Sequence, residues 1–277
     1  MNSSFKKILV PVDFSLNTEV AIQIACKMAQ KNAALHLLYV QCYGYPLLSF
    51  SALPFLWPDE KKDRKNAESG LQMWRRRIIA EHQDITVTFG IDTRHDVQGG
   101  IINTCREFNP DLVIIVKSSQ HSWLPFLNTV RPEKIAKKIC APVLVCKPGS
   151  LNGFTREILV PVNEKIDERK LQVIEAVSHT NNIHAWLVAF DKNINTPALS
   201  STLSQYYQRI RFDRFGLADS RIIPSGFRPK KLLDIASKLN TDMLILKPGN
   251  ETKMNFMGGQ IFDDLDPLSE LQVILVN

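Results

Sequence analysis

Apolar residues along this chain fall into two alternating rhythms: short unbroken runs of strand length, and longer stretches with helical spacing. In the first half the runs lie at 8–12, 35–40, 85–89, 112–116 and 143–146. Between them, Val20, Ala21, Ile24, Ala25 and Met28 share one helical face, with Ser15 or Asn17 placed to cap it. Leu71, Trp74 and Ile78 mark a second helix, and Ile101, Cys105 and Phe108 a third. Pro132 suits the first turn of a helix that turns Ile135 and Ile139 inward. The second half repeats the rhythm, with runs at 158–162, 185–190, 221–223, 243–246 and 273–276. Its helices carry Leu171 and Ile174, then Leu199, Leu203, Tyr206 and Ile210, then Leu232, Ala236 and Leu239. Runs without polar alternation, each followed by a helix, predict parallel strands covered on both faces. The fold class is α/β, with two tandem doubly wound domains of five parallel strands each. Ligands in such sheets bind beyond the carboxyl ends of the strands.

The two halves are also related residue by residue. Ile8-Leu9-Val10-Pro11-Val12 recurs unchanged as Ile158-Leu159-Val160-Pro161-Val162. Asp111-Leu112-Val113-Ile114-Ile115 answers to Asp242-Met243-Leu244-Ile245-Leu246, and Val143-Leu144-Val145 to Val273-Ile274-Leu275. Repetition at a domain-sized interval indicates duplication of nearly the whole chain, with domains at 1–148 and 155–277 and a turn-rich seam at 147–153. The second copy is shorter. Ile8 to Asp111 spans 103 positions, but Ile158 to Asp242 only 84. The surplus points to the aromatic, proline-rich segment 42–58, which leaves the carboxyl end of the second strand. It reads equally as a lid, an interface, or extra core over the sheet edge.

Composition narrows the function without naming it. The net charge is +6, yet 34 basic residues are interspersed with 28 acidic ones. The densest basic stretch, Lys61 to Arg77, is broken by acids and reads as a solvated helix face, so nucleic acid is not an expected partner. The apolar run near the N-terminus is too short for a signal peptide or a membrane span, which favours a cytoplasmic location and no membrane partner. Five cysteines lack any Cys-x-x-Cys pair, and the six histidines lack metal-ligand spacing. Inert thiols and no metal are expected. His95-Asp96 precedes a helix, where Asp serves as a cap; His121 and Trp123 follow the fourth strand and face the ligand end. No catalytic elbow, Walker loop or dinucleotide fingerprint is present, so the chain is not expected to be an enzyme.

Lys-Ile-Leu-Val-Pro-Val-Asp-Phe-Ser at the N-terminus, Asp-Leu-Val-Ile-Ile before the last loop and Ala-Pro-Val-Leu-Val as the closing strand together resemble the universal stress protein family. The resemblance spans about 5–147 and, more weakly, 156–277. It implies pairing through the last strands, which a tandem chain can satisfy internally as a pseudo-dimer; a homodimer of tandems and a protein partner are also compatible with it. One branch of the family binds ATP through the Asp after strand one and a Gly-x2-Gly-x9-Gly-Ser/Thr loop after strand four. Such glycines let backbone N–H groups approach phosphate.

Asp13 matches the first element, but the loop positions fall on Val116, Ser119, Thr129 and Val130. In the second copy they fall on Lys247 and Asn250, Asn163 replaces the Asp, and Gly258-Gly259-Gln260 lies near the third glycine and reads as a turn. The resemblance therefore implies a stress-response binding or adaptor protein with weak or no nucleotide binding. Two alternatives remain open. One is a sensor of ATP or AMP, using Val12, Asp13, Val40, Lys117, Ser118, Ser119 and Thr129 as its pocket. The other is a weak ATPase.

Overall fold

The computed structural model describes residues 4–42, 60–94, 96–117, 130–151, 155–192, 196–212, 216–253, 261, 265 and 269–277. Half one runs β1 (Lys7–Val12), α1 (Leu16–Met28), β2 (Ala34–Cys42), α2 (Glu60–Glu81), β3 (Thr86–Arg94), α3 (Val97–Phe108), β4 (Leu112–Val116), α4 (Pro132–Ala136) and β5 (Val143–Cys146). Half two runs β6 (Glu157–Val162), α5 (Glu168–Ser178), β7 (Ile183–Phe190), α6 (Pro197–Phe212), β8 (Gly216–Ile223), α7 (Pro229–Lys238), β9 (Met243–Leu246) and β10 (Gln272–Leu275).

The strands form one sheet of ten, in the order β3-β2-β1-β4-β5-β10-β9-β6-β7-β8. Each half is parallel throughout, and the two meet at an antiparallel pair in which Val145 faces Val273 and Leu144 faces Ile274. The sequence pattern predicts two five-stranded sheets; the structure shows them fused through their last strands, each covering the edge the other would expose. Because that junction is antiparallel, the carboxyl strand ends of the two halves lie at opposite ends of the sheet.

Helices cover both faces. On one, α1, α2, α5 and α6 press Val20, Ile24, Leu71, Ile174 and Leu203 onto Ile8, Val10, Leu37, Ile158 and Val160. On the other, α3, α4 and α7 press Ile101, Ile135 and Leu232 onto Leu9, Leu38, Leu159 and Leu244. Each of these cores includes residues from both halves. Local chemistry sets the helix starts. Ser15 caps α1 by accepting from the Asn17 N–H, Asp96 caps α3 by accepting from the Gly99 N–H, and Pro132 opens α4 at its first turn. Asp96 is the cap that its place before the helix predicts, and His95 lies outside the described residues.

The seam forms a 3-10 turn, Pro148–Leu151, pinned where the Ser150 hydroxyl donates to Ser269 O at 3.4 Å and accepts from Lys147 N at 3.2 Å. The length difference between the halves lies after their second strands. Helix α2 has 22 residues against 16 for α6, and 43–59 precedes α2 where only 191–196 precedes α6. The proposed lid or interface at 42–58 therefore falls almost wholly outside the described residues. The basic face of α2 is solvated and partly neutralised: Arg64 pairs with Glu68, and Arg77 with both Glu81 and Glu19. Among the described residues, no helix is long and apolar enough to cross a membrane.

Candidate functional site

The tight turn from β1 into α1 places Asp13 at the carboxyl end of the sheet. One carboxylate oxygen, Oδ1, accepts from Ser15 N (3.0 Å), Ser15 Oγ (2.6 Å) and Thr18 Oγ1 (2.8 Å), and the Thr18 hydroxyl accepts from Asp13 N (3.1 Å). The other oxygen, Oδ2, is buried and has no hydrogen-bond partner among the described residues. A buried carboxylate oxygen without a donor is costly, so its environment calls for one.

The space that the described residues enclose beside Asp13 is small. A cavity of about 20 Å³ is bounded by Pro11, Asp13, Thr18, Ile101, Val116 and Val130. That volume suits one water, whereas small-molecule pockets run to about 300–1,000 Å³. Phe14, next in the chain, adopts a left-handed conformation (φ +60°) and sets its ring 5.2 Å from that of Tyr39. The ring also lies against Gly70 of α2, where an added Cβ would come within 2.6 Å of it. The end of β2 is tied down as well, by Gln41 Nε2 donating to Asp63 at 2.9 Å.

Of the residues the sequence assigns to a nucleotide pocket, Asp13 borders this cavity. Val12 and Val40 do not: Val12 packs under α1 on one face of the sheet, and Val40 packs on the other against α3. Gly100 of α3 comes so close that an added Cβ would sit 2.7 Å from Val40 Cγ2. Lys117 follows β4, and its N–H donates to Cys146 O. Ser118, Ser119, His121, Trp123 and Thr129 lie outside the described residues, as do Gly258, Gly259 and Gln260.

Half two builds its strand end from different chemistry. Counted from the caps Ser15 and Asp167, Lys170 is the third residue of α5 as Thr18 is of α1. Its ammonium lies between Glu251 Oε2 (2.8 Å), Glu251 Oε1 (3.0 Å) and Pro161 O (2.8 Å). Glu251 also accepts from Lys247 N at 2.7 Å and from Asn163 Nδ2 at 3.4 Å. The two side chains are only 2% and 8% exposed. Burial pushes the Lys170 ammonium toward its neutral form, and the Glu251 carboxylate opposes that. Lys247 Nζ pairs with Asp167 at 2.7 Å, and the Tyr206 hydroxyl accepts from Asp167 N at 2.7 Å. Burial raises the Tyr206 phenol above its ordinary range. The sequence reading missed the Lys170–Glu251 pair. Its one visible trace is a lysine sharing the helical stripe of Ile174 and Val177, a place where charge is out of keeping.

A larger cleft, about 340 Å³, lies at the other end of half one, between the starts of its strands and α5. Phe5, Asp111, Ala141, Arg169, Val173 and Val276 line it, so both halves contribute. Three thiols are quiet: burial lifts Cys26 and Cys105 to about 12 and raises Cys146 further, while Cys140 is exposed. Among the described residues, no group of three or more His, Cys, Asp or Glu could hold a metal.

Comparison with known proteins agrees with this architecture. A universal stress protein from Archaeoglobus fulgidus DSM 4304 superposes with a TM-score of 0.69 at 16% identity, over 100% of this chain and 98% of the other. A putative universal stress protein from Pseudomonas aeruginosa UCBPP-PA14 gives 0.56 at 14% identity, over 99% and 94%. The cytoplasmic domain of a prokaryotic cation chloride cotransporter gives 0.57 at 10% identity, over 98% and 95%, so the tandem fold also occurs in a transporter's domain. At such identities the likeness is one of fold. No curated protein matches the chain. The model of the universal stress protein family matches residues 4–147, more than half of the sequence, and the chain belongs to that family.

Proposed function

We propose that this universal stress protein is a non-catalytic binding or adaptor protein of the stress response, acting in the cytoplasm through a protein partner. Its two repeats, 1–148 and 155–277, serve as paired domains. The observation that carries this reading is the small space that the described residues leave beside Asp13, about 20 Å³. In half two the corresponding place is filled by Lys170 and Glu251. A nucleotide-sized ligand would have to displace side chains that line this cavity, such as Ile101 or Val130, before it could reach Asp13 Oδ2.

A second reading, an ATP or AMP sensor, is favoured by one specific feature. Asp13 Oδ2 is a buried acceptor without a donor among the described residues, and a ribose hydroxyl would supply one. Thermal denaturation with and without millimolar ATP or AMP and magnesium separates the two readings, since a ligand of the native state raises the midpoint. The adaptor reading expects an unchanged midpoint. A rise that disappears in Asp13→Ala would establish the sensor instead.

A further inference from the structure

The donors around Glu251 form the set that recognises an oxyanion: a lysine ammonium, a backbone N–H and a side-chain amide N–H, converging on one carboxylate. They come from three separate elements: Lys170 from α5, Lys247 from the turn after β9, and Asn163 from the turn after β6. Stability alone gives little reason for this arrangement. Burying two charges costs several kcal/mol per ion, and a well-packed apolar pair of similar volume is often as stable or more so. Half one does without it, placing the short Thr18 where half two has Lys170.

We propose that the strand end of half two is an anion site permanently occupied by a side chain of its own chain. Glu251 is the tethered ligand, standing where a free phosphate-class oxyanion would otherwise bind, so this half takes no such ligand from solution. The inference holds whether or not half one binds a nucleotide.

Removing the tether tests it, with inorganic phosphate as the probe. In Glu251→Ala the two N–H donors lose this acceptor, the ammonium keeps only Pro161 O, and a space opens between them. Phosphate should then raise the melting midpoint by several degrees more than in the parent chain, and titration calorimetry should show one additional phosphate per chain. The parent curve corrects for the general stabilisation that phosphate gives folded proteins. The added binding should vanish in Lys170→Met/Glu251→Ala. It should also be absent in Glu251→Gln, whose side chain still fills the place. A folded Glu251→Ala that responds to phosphate only as the parent does would overturn the proposal. So would an equal response from Glu251→Gln, because the anion would then be binding elsewhere. Should Glu251→Ala fail to fold in chloride, recovery in phosphate at matched ionic strength that Lys170→Met/Glu251→Ala does not share supports the tethered-ligand reading, and failure in both buffers or equal recovery of the two variants counts against it.

Discussion

Asp111 and Asp242 stand at equivalent points of the repeat, and each ties the start of its half's first strand to the strand beside it. Asp242 Oδ2 accepts from Arg156 N at 2.8 Å and Glu157 N at 2.9 Å; Asp111 Oδ2 accepts from Lys6 N at 3.1 Å and Lys7 N at 2.9 Å. Replacing either by alanine removes two hydrogen bonds to a charged acceptor. Such bonds contribute about 1.5–3 kcal/mol each when well shielded, and less where water can replace the lost partner. Asp242 is half-buried and Asp111 exposed. Expected losses are therefore about 2 kcal/mol for Asp242→Ala and about 1 kcal/mol for Asp111→Ala.

The size of the melting shift also reports how much of the sheet unfolds together. At about 2.1 cal/mol/K per residue, the 277-residue chain unfolding as one unit would shift by about 3 °C for Asp242→Ala. Half two melting alone would shift by about 8 °C. The unbroken sheet and the cores shared by both halves favour the smaller shift. Urea denaturation gives the free energies and calorimetry the midpoints. If both alanine variants fall within about 0.5 kcal/mol of the parent, the ordinary range for surface substitutions, these carboxylates do not anchor the strands and the reasoning fails.

Three further outcomes follow from individual residues. Burial lowers the His36 pKa below its ordinary 6.5, so the unfolded chain takes up this proton first. The stability His36 contributes is then full above about 6.5 and lost as pH falls below it; His36→Leu should flatten the decline in urea stability toward pH 5, and an unchanged slope would refute this. In a Cys42→Ser background, an aromatic disulfide reagent should label Cys140 quickly, while Cys26, Cys105 and Cys146 react only on unfolding; two fast thiols in the native protein would contradict it. Gly100→Ala forces a methyl group to within 2.8 Å of both Val40 methyls and should cost about 1–3 kcal/mol. Val40→Ala in the same chain should recover part of that loss, and strict additivity of the two changes would count against the contact.

Strands β4 and β9 coincide with their apolar runs residue for residue, because a central strand buried on both faces has no polar alternation to blur its ends. The edge strands were less legible. In β8 only Ala218 is fully buried, so the apolar signal at 221–223 marks the last part of a strand that begins at Gly216. Likewise β3 extends to Arg94, well beyond the run at 85–89. Asp13 could be located by its position after β1. Its three donors, from Ser15 and Thr18, are local enough to follow from an ordinary helix start. Closure of half two could not be read in the same way. Glu251 meets Lys170 across 81 positions of chain, and a lysine on an apolar stripe does not say which residue it pairs with. The opposite-face packing of Val12 and Val40 was legible only once the register of β1 on β2 was known, with Val10 beside Leu37 and Val12 beside Tyr39.

Equilibrium dialysis of the full chain against labelled ATP with magnesium tests the central claim most directly, since it counts bound nucleotide whatever its effect on stability. The adaptor reading, with about 20 Å³ beside Asp13 and Lys170 paired to Glu251, predicts no saturable binding. Saturable binding of one nucleotide per chain, lost in Asp13→Ala, would contradict the adaptor reading and make half one a nucleotide sensor.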